Sequence, residues 1–291
     1  MRNSTYVLIT AARNEEGYIR RTLQAVVDQK RLPRTWVIVS DGSTDRTDEL
    51  VMHFARSHHF IQLVRLRQKG ARAFSSQACA SNEGYKRIKH AEFDFVGFLD
   101  ADISFSPNYY EELLEKMEAN PRLGIAGGVI VEDHGSGRFD VRYGDSADHV
   151  AGAIQCFRRE CHDDIGGLIP LRWGGHDAVA NAMARRKGWE VRAFSDLRAF
   201  HHRPTGTAGT TIRRARFREG MQDYFMGYHL LFEVGKCIRR AIEPPYLAGS
   251  VLRLSGYLWP GLTRQKPMVT EDFAQYLKKQ QMRRLFHVGK K

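Results

Sequence analysis

Two aspartates, Asp100 and Asp102, directly follow a mostly apolar run at residues 93–99 that is rich in Phe, Val and Leu. Such a run is typical of a strand covered on both faces, and ligands of α/β sheets lie where such strands end. Two carboxylates this close repel each other unless a cation lies between them, and oxygen ligands favour Mg²⁺ or Mn²⁺. The spacing therefore predicts a divalent cation here, with a diphosphate as its companion. The alternative, two caps for a helix that starts near Pro107, leaves the charged end of an apolar strand unexplained.

The elements that would position these aspartates alternate between strands and helices. Residues 6–10 and 36–39 are β-prone runs, and each is followed by a polar loop and then by apolar residues at helical spacing. Tandem units of this kind are typical of a parallel sheet, so we predict an α/β fold with a mostly parallel sheet flanked by helices. Further strands are predicted at 61–66, 93–100, 125–131, 153–157 and 189–194, and helices at 19–27, 47–54, 71–89, 107–119 and 176–187.

The positive charge of the chain is concentrated near its C-terminus. The net charge is +12, and residues 201–291 hold 17 Lys and Arg against 6 Asp and Glu, whereas residues 1–200 are nearly balanced. Such a segment is expected to meet an anionic partner, either lipid or nucleic acid. A polar stretch at 132–144 is predicted to be a loop, either a functional lid or a surface excursion.

Two stretches of this basic region have the composition of membrane-associated segments. Residues 212–240 combine arginines with apolar and aromatic residues at helical spacing, as in a helix that lies in a membrane interface. Residues 246–262 contain one charge, Arg253, but are too few for a comfortable span, so we expect a monotopic or re-entrant segment. The alternative is that both stretches pack on the rest of the protein.

The four cysteines lack the spacing of a metal or redox motif. We find no signal peptide, and no apolar window of about 18 residues that would predict a spanning helix. Reduced thiols and a location on the cytoplasmic face of a membrane are therefore expected.

Four motifs in order resemble the family 2 glycosyltransferases, which have the GT-A fold. They are ITAARNEEGYI, SDGSTDRT, FLDADISF as a DXD motif, and GGHDAVANAMARRKGW as the acceptor-side acidic motif. The resemblance covers about residues 5–205. It implies a GT-A domain at 1–205, with a nucleotide-binding half at about 1–103 and an acceptor half at about 104–205. Residues 206–291 would then be a basic amphipathic helical extension that associates with membrane.

The resemblance implies a metal-dependent, inverting transfer of a sugar from a nucleotide-diphosphate sugar to a hydroxyl acceptor. The acceptor is expected to be a glycan, a lipid-linked glycan or a polysaccharide intermediate. Loop residues at consecutive strand ends would hold the donor nucleotide, although Asp-Gly-Ser-Thr is also an ordinary turn. The donor-binding candidates are Ala11, Ala12, Arg13, Glu15, Asp41, Lys69 and Asp100.

The same resemblance assigns the metal and the base. Asp100 would contact ribose or act as an outer ligand, and Asp102 would bind Mn²⁺ or Mg²⁺, which would neutralise the departing diphosphate. Either His201 or His202 would be a further ligand. Asp177 would be the general base, although a helix N-cap is its structural alternative. The chain has His176 where family members often have Glu.

Three other classes of protein fit less well. A sugar nucleotidyltransferase would carry a Gly-rich loop after the first strand, and a dinucleotide-dependent oxidoreductase would carry GxGxxG there; neither motif is present. A nucleic-acid binder that uses the basic C-terminal region would leave Asp100 and Asp102 without a role, and no nucleic-acid module is evident. Nucleic acid is therefore an unlikely partner.

Overall fold

The computed structural model describes residues 4–66, 74–133, 139–141, 147–203, 211–242 and 245–287. The chain divides into two compact units. The first unit comprises Met1–Pro170 and His176–Pro204, and the second comprises Leu171–Gly175 and Thr205–Lys291. The sequence predicted one boundary, at 205/206, and did not predict that the short loop at 171–175 would belong with the C-terminal residues.

The first unit contains a sheet with helices between its strands. The described strands are β1 (Tyr6–Ala12), β2 (Thr35–Asp41), β3 (Ile61–Leu66), β4 (Phe95–Leu99), β5 (Ile103–Phe105), β6 (Leu123–Asp133), β7 (Phe139–Val141), β8 (Ile154–Arg158) and β9 (Glu190–His201). The described helices are α1 (Ile19–Val27), α2 (Thr47–Ser57), α3 (Phe74–Ile88), α4 (Tyr109–Ala119), α5 (Arg159–Asp164) and α6 (His176–Arg186).

The strand order is β3-β2-β1-β4-β8-β6-β9-β5, with β7 paired to β6. Strands β1 to β4 pair in parallel, as predicted. Beyond them the sheet is mixed rather than mostly parallel, because β8 runs antiparallel to both β4 and β6, and β5 runs antiparallel to β9. A parallel neighbour needs a crossover, usually a helix, and the described residues between β6 and β8 form no helix.

The expected loop at 132–144 is partly wrong, because β6 runs to Asp133 and pairs with β7. Strand β9 also continues past the predicted end at 194. Its register with β6 slips where Gly128 pairs with Phe194 but Val129 pairs with Arg198, so the three residues between them form a bulge before the strand resumes. Gly128 makes this bulge possible, since a Cβ there would lie 2.2 Å from the backbone oxygen of Leu197. The continued strand carries His201 to a position opposite Glu132 and Ile103.

The core of the first unit lies on both faces of the sheet. Tyr6, Leu8 and Trp36 pack on one face, and Val7, Ile9 and Val37 pack on the other. These strands are therefore covered on both sides, which explains their nearly continuous apolar sequence.

The second unit is helical. Its described helices are α7 (Ile212–Phe225), α8 (Leu230–Arg240), α9 (Leu247–Leu262) and α10 (Glu271–His287). The single helix predicted over 212–240 is divided, because Gly227 has a φ of +78°. Met221 and Phe225, which were expected at a membrane interface, are buried. No helix among the described residues is long and apolar enough to cross a membrane.

Candidate active site

The loops after β1 and β2 are joined by hydrogen bonds. Asn14, at a φ of +55°, accepts a hydrogen bond from the backbone of Thr44 through its Oδ1 at 2.8 Å, and its own N–H donates to Ser43 Oγ at 3.2 Å. Arg13 and Asp41, one from each loop, form a half-buried ion pair at 3.7 Å. Two adjacent parallel strands thus bring the predicted nucleotide-binding side chains together, at the strand ends where α/β sheets bind ligands.

Glu15 links these loops to the end of β9. Its N–H donates to Thr47 Oγ1 at 2.8 Å, and its buried carboxylate accepts from Arg203 Nη2 at 2.9 Å. Arg203 lies directly after His201 and His202. Glu15 therefore has a structural role in positioning Arg203, in addition to the nucleotide-binding role that was predicted for it.

Asp102 lies among positive charges. Its Oδ2 is 2.7 Å from Arg203 Nη2, its Oδ1 is 3.4 Å from His201 Nε2, and its side chain is only 3% exposed. Burial acts to raise the pKa of Asp102, but hydrogen bonds and charges from His201 and Arg203 outweigh it, so the pKa is lowered. Asp102 is therefore ionised at neutral pH.

His201 is held between two carboxylates. Its Nδ1 is 3.0 Å from Oε1 of the buried Glu132, and its Nε2 faces Asp102. Burial acts to lower its pKa, but the hydrogen bonds to Asp102 and Glu132 outweigh this effect and raise the pKa to about 9. His201 is a cation in this arrangement.

The two adjacent histidines point to different partners. His202 Nε2 lies 2.8 Å from Ser104 Oγ on β5, and its Nδ1 lies 3.3 Å from the guanidinium of Arg21. Burial, assisted by the charge of Arg21, lowers its pKa. Of the two predicted ligands, only His201 faces Asp102.

Asp100 is half-buried at the end of β4. Its N–H donates to the carbonyl of Ala153 at 3.0 Å, and its Oδ1 accepts from Gln77 on α3. Burial, together with the charge of Asp102, raises its pKa to about 7. A cation bound nearby would therefore stabilise the ionised form of Asp100.

The donor types at this strand end fit a divalent metal. Asp102 and Asp100 offer carboxylate oxygens. His201 would offer its Nε2 once a metal displaces the proton there, while Glu132 accepts from its Nδ1, as in many sites with metal-binding histidines. Within the described ranges, no three His, Cys, Asp or Glu side chains are already grouped to hold a metal by themselves. Mg²⁺ commonly binds to one or two carboxylates together with substrate phosphates, and this donor set is of that type.

Asp177 lies in the first turn of α6. The N–H of Gly152 donates to its Oδ2 at 3.1 Å, and His149 Nε2 lies 3.8 Å from the same oxygen. Burial acts to raise the pKa of Asp177, but the charges of His149 and His176 and two backbone hydrogen bonds outweigh it and lower the pKa. Its side chain remains 25% exposed, so it is an ionised carboxylate that can accept a proton.

A buried network holds His149 in place. Asn181 Nδ2 lies 2.9 Å from His149 Nδ1 and 2.9 Å from the carbonyl of Val150, and Gln155 Nε2 donates to Asn181 Oδ1 at 3.1 Å. Gly152 permits the contact with Asp177, since a Cβ at Gly152 would lie 3.0 Å from the Asp177 Cβ. This network was not predicted, because its members are distant in sequence.

The structure brings together most of the predicted site residues. Ala11 and Ala12 are the last residues of β1, directly before Arg13. Lys69 lies outside the described residues. Glu132, His149 and Gln77 were not predicted from the sequence as site residues. The Gly-His-Asp and Asp-Ala-Asp motifs indicated only side chains in their vicinity.

A sequence model of the family described as glycosyl transferase family 2 matches residues 7–187, which is more than half of the chain. The chain belongs to glycosyl transferase family 2. It is a glycosyltransferase of α/β architecture, as its motifs predicted.

Family 2 relatives include the poly-β-1,6-N-acetyl-D-glucosamine synthases of Staphylococcus epidermidis and Staphylococcus aureus. Each is 31% identical over 120 residues, a stretch that covers 41% of this chain and 27% of the synthase. The match therefore spans about a quarter of the length of these relatives.

Solved structures with the same fold include two transferases. The mannosyltransferase PcManGT from Pyrobaculum calidifontis, in complex with GDP-Man and Mn²⁺, has a TM-score of 0.58 at 18% identity, covering 98% of this chain and 88% of that one. S. aureus TarS 1–349, in complex with UDP-GlcNAc, has a TM-score of 0.55 at 15% identity, covering 95% and 82%. At this identity the likeness shows the GT-A fold alone.

Proposed function

We propose that this glycosyltransferase moves a sugar from a nucleoside diphosphate to an acceptor hydroxyl with inversion at the anomeric carbon. The observation that carries the proposal is the link between two carboxylates. Ala153 accepts a hydrogen bond from the backbone of Asp100, and the neighbouring Gly152 donates one to Asp177. The end of the DXD strand and the candidate base are therefore joined through two consecutive residues.

The donor nucleotide would bind across the ends of β1, β2 and β4. Asp41, with Arg13 beside it, would hold the base and ribose, and Asp100 would contact ribose. Arg203, which is 25% exposed at this edge beside Glu15 and Asp102, would meet phosphate. Lys69 remains a predicted phosphate contact.

Asp102, Asp100 and His201 would hold Mn²⁺ or Mg²⁺. The bound cation would supply Lewis-acid neutralisation of the charge that develops on the leaving diphosphate. Glu132 would orient His201 for this task. His202, engaged with Ser104 and Arg21, would position the end of β9.

Asp177 would act as the general base. It takes the proton of the acceptor hydroxyl, whose oxygen bonds to the anomeric carbon from the face opposite the diphosphate. The bond from that carbon to the diphosphate oxygen breaks, and the electron pair leaves with the nucleoside diphosphate. A lowered pKa keeps Asp177 ionised and ready to accept the proton.

The acceptor is proposed to be a lipid-linked glycan or a polysaccharide intermediate, met at the cytoplasmic face of a membrane. The support is exposed apolar surface on the second unit. It is formed on α8, on α9 and at Ile242 between them, by Leu231, Ile238, Ile242, Leu247, Val251, Leu258 and Leu262, each more than 40% exposed. Basic side chains such as Arg239 and Arg264 accompany it. Exposed apolar surface beside basic charge is typical of proteins that bind anionic membranes.

The decisive measurement is release of nucleoside diphosphate from UDP-, GDP- and dTDP-sugars, with and without Mn²⁺, in the presence of membrane lipid extract. We expect one donor to be used, and Asp102→Asn to lower the rate about 10²- to 10³-fold, as for loss of a group that stabilises transition-state charge. Asp177→Asn should lower transfer about 10²-fold or more while donor binding persists.

Asp196→Asn is the matched control, since Asp196 is an exposed aspartate that pairs with Lys116 at the surface. It should leave the rate within twofold. Equal rates for Asp177→Asn and the unmodified enzyme would show that another group is the base. No use of any donor by a folded enzyme would overturn the proposed reaction.

A further inference from the structure

The second unit contains a cavity of about 440 Å³. Trp173, from the loop at 171–175, lines it together with Phe217 and Met221 of α7 and Leu252 of α9. All of these residues belong to the second unit. The volume lies within the range of small-molecule sites, and the apolar walls would suit a hydrocarbon chain.

Arginines also line the same cavity. They are Arg213, Arg214 and Arg218, and the guanidinium of Arg172 lies 5.2 Å from the centre of the Trp173 ring. Arg213 and Arg214 are exposed, and no described carboxylate forms an ion pair with either of them. By contrast, Arg216 and Arg240 pair with Glu219. Arg213 and Arg214 therefore bring to this apolar cavity positive charge that no described carboxylate balances.

The wall that carries Trp173 is closely packed. The Trp173 ring stacks on Phe225 at 6.3 Å between centroids. Gly175 has a φ of +90°, and a Cβ there would lie 2.5 Å from Met226 Sδ and 2.7 Å from Gln222 Nε2. The positive φ favours glycine at this position, and the loop lies against the side chains of Gln222 and Met226.

We propose that this cavity binds the phosphate-bearing head of a single-chain lipid, which is the anchor of the lipid-linked acceptor. The arginines would bind phosphate oxygens, since guanidinium groups match phosphate geometry and stay charged. The apolar walls would hold the first carbons of the chain. The inference rests on the proposed function and specifies its acceptor; in the sequence, Trp173 precedes the proposed base Asp177 by four residues.

Charge and shape together favour this occupant. A bilayer headgroup would be met by surface arginines and would not require an apolar cavity. A neutral hydrocarbon would fill the cavity but would not balance the charges of Arg213 and Arg214. A phosphate on a single chain uses both features.

The test measures binding of dodecyl phosphate, below its micelle concentration, to the full chain by calorimetry without any donor sugar. The unmodified protein should bind dodecyl phosphate more tightly than inorganic phosphate or dodecyl maltoside. Arg213→Gln with Arg214→Gln should weaken binding at least about tenfold, because two charge-assisted contacts are lost. The matched control, Arg239→Gln with Lys266→Gln, removes the same charge from exposed positions of the second unit and should change affinity less than about twofold.

A second variant tests the apolar wall. Leu252→Trp fills part of the cavity and should weaken dodecyl phosphate binding without changing the affinity for inorganic phosphate. The proposal would be overturned if the two double variants lost equal affinity for dodecyl phosphate, or if the unmodified protein bound dodecyl maltoside as tightly as dodecyl phosphate. Binding to phosphatidylglycerol vesicles without binding of monomeric dodecyl phosphate would also overturn it, and would make the arginines a membrane contact. Because no donor is present, these outcomes are independent of the nucleoside diphosphate assay.

Discussion

The two units each bury a cluster of charged side chains, and the clusters have central groups of opposite charge. In the first unit the centre is the carboxylate of Asp102, with Arg203 and His201 around it. In the second unit the centre is the guanidinium of Arg253, which donates to Glu219, Asp223 and Glu233. Both centres are less than 6% exposed.

The clusters differ in what remains available to a ligand. All three nitrogens of Arg253 have carboxylate partners, and the helices around it are in close contact, since a Cβ at Gly256 would lie 2.0 Å from the backbone oxygen of Phe217. The Asp102 cluster lies at the ends of strands, and Arg203 is 25% exposed. A saturated, enclosed network serves packing, whereas a network at a sheet edge can exchange partners when a charged ligand arrives.

The largest effect that tests this difference is expected from Arg253→Met. The substitution keeps an unbranched side chain but removes the cation at the centre of the cluster. Glu233 loses its partner at 2.7 Å, and Asp223 and Glu219 then depend on Lys236 and Arg240. Loss of one partner from a buried charge network typically costs about 3–5 kcal/mol. We expect the free energy of unfolding to fall by about that amount, measured by urea denaturation followed by circular dichroism.

Arg239→Met is the matched control, because Arg239 is exposed in the last turn of α8, directly before Arg240 ends the helix. It should change the free energy of unfolding by less than about 0.5 kcal/mol. If Arg253→Met behaves like this control, the Arg253 cluster does not have a structural role and the contrast with Asp102 is lost.

The sequence predicted the first cluster better than the second for a physical reason. Asp100 and Asp102 follow a buried strand, so local pattern and the general position of ligands in α/β sheets were enough to indicate a site. Arg253 was interpreted as a single charge in an apolar segment. Its partners lie 20 to 34 residues away on other helices, and such pairing depends on tertiary packing that no local pattern records.

The same limit applies within the first unit. The parallel strands β1 to β4 were predicted because β-prone runs alternate with helical patterns along this part of the chain. The bulge of β9 was not predicted, although it carries His201 to Asp102 and Glu132. Likewise His149 was missed as a neighbour of Asp177, since 28 residues separate them and the contact depends on Gly152 and Asn181.

A smaller effect is expected from His149→Gln. His149 lies 3.8 Å from Asp177, and its charge is one of the causes that lower the pKa of that carboxyl against the effect of burial. Glutamine can keep a hydrogen bond but has no charge, so the pKa of Asp177 should rise. The acidic limb of the kcat/KM profile should then move to higher pH, and the rate at neutral pH should fall about tenfold or less.

The matched control is His53→Gln, an exposed histidine on α2. It should leave both the rate and the acidic limb unchanged. An unshifted limb in His149→Gln with normal folding would mean that the limb does not report Asp177, which would separate the base from the group that the structure indicates.

The smallest effect at neutral pH, and the one that most sharpens the comparison, is expected from Glu233→Gln. Burial, followed by the charge of Asp223, raises the pKa of Glu233 from 4.5 to about 8. The folded state therefore binds this proton more tightly than the unfolded state. The resulting stabilisation is fully present below the ordinary pKa of a glutamate and is lost as the pH rises through about 8.

Glutamine resembles the protonated acid, so Glu233→Gln should change stability less at pH 6 than at pH 9, where it should remove much of the loss. We expect the unmodified protein to lose about 2–3 kcal/mol more than the variant between these two values, measured by urea denaturation at both. If the free energies of unfolding of the two proteins change equally between pH 6 and pH 9, Glu233 is ionised over that whole range. The Arg253 cluster would then be fully charged, like the Asp102 cluster. The two clusters would differ in how far they are enclosed, and not in whether they contain a protonated carboxyl group.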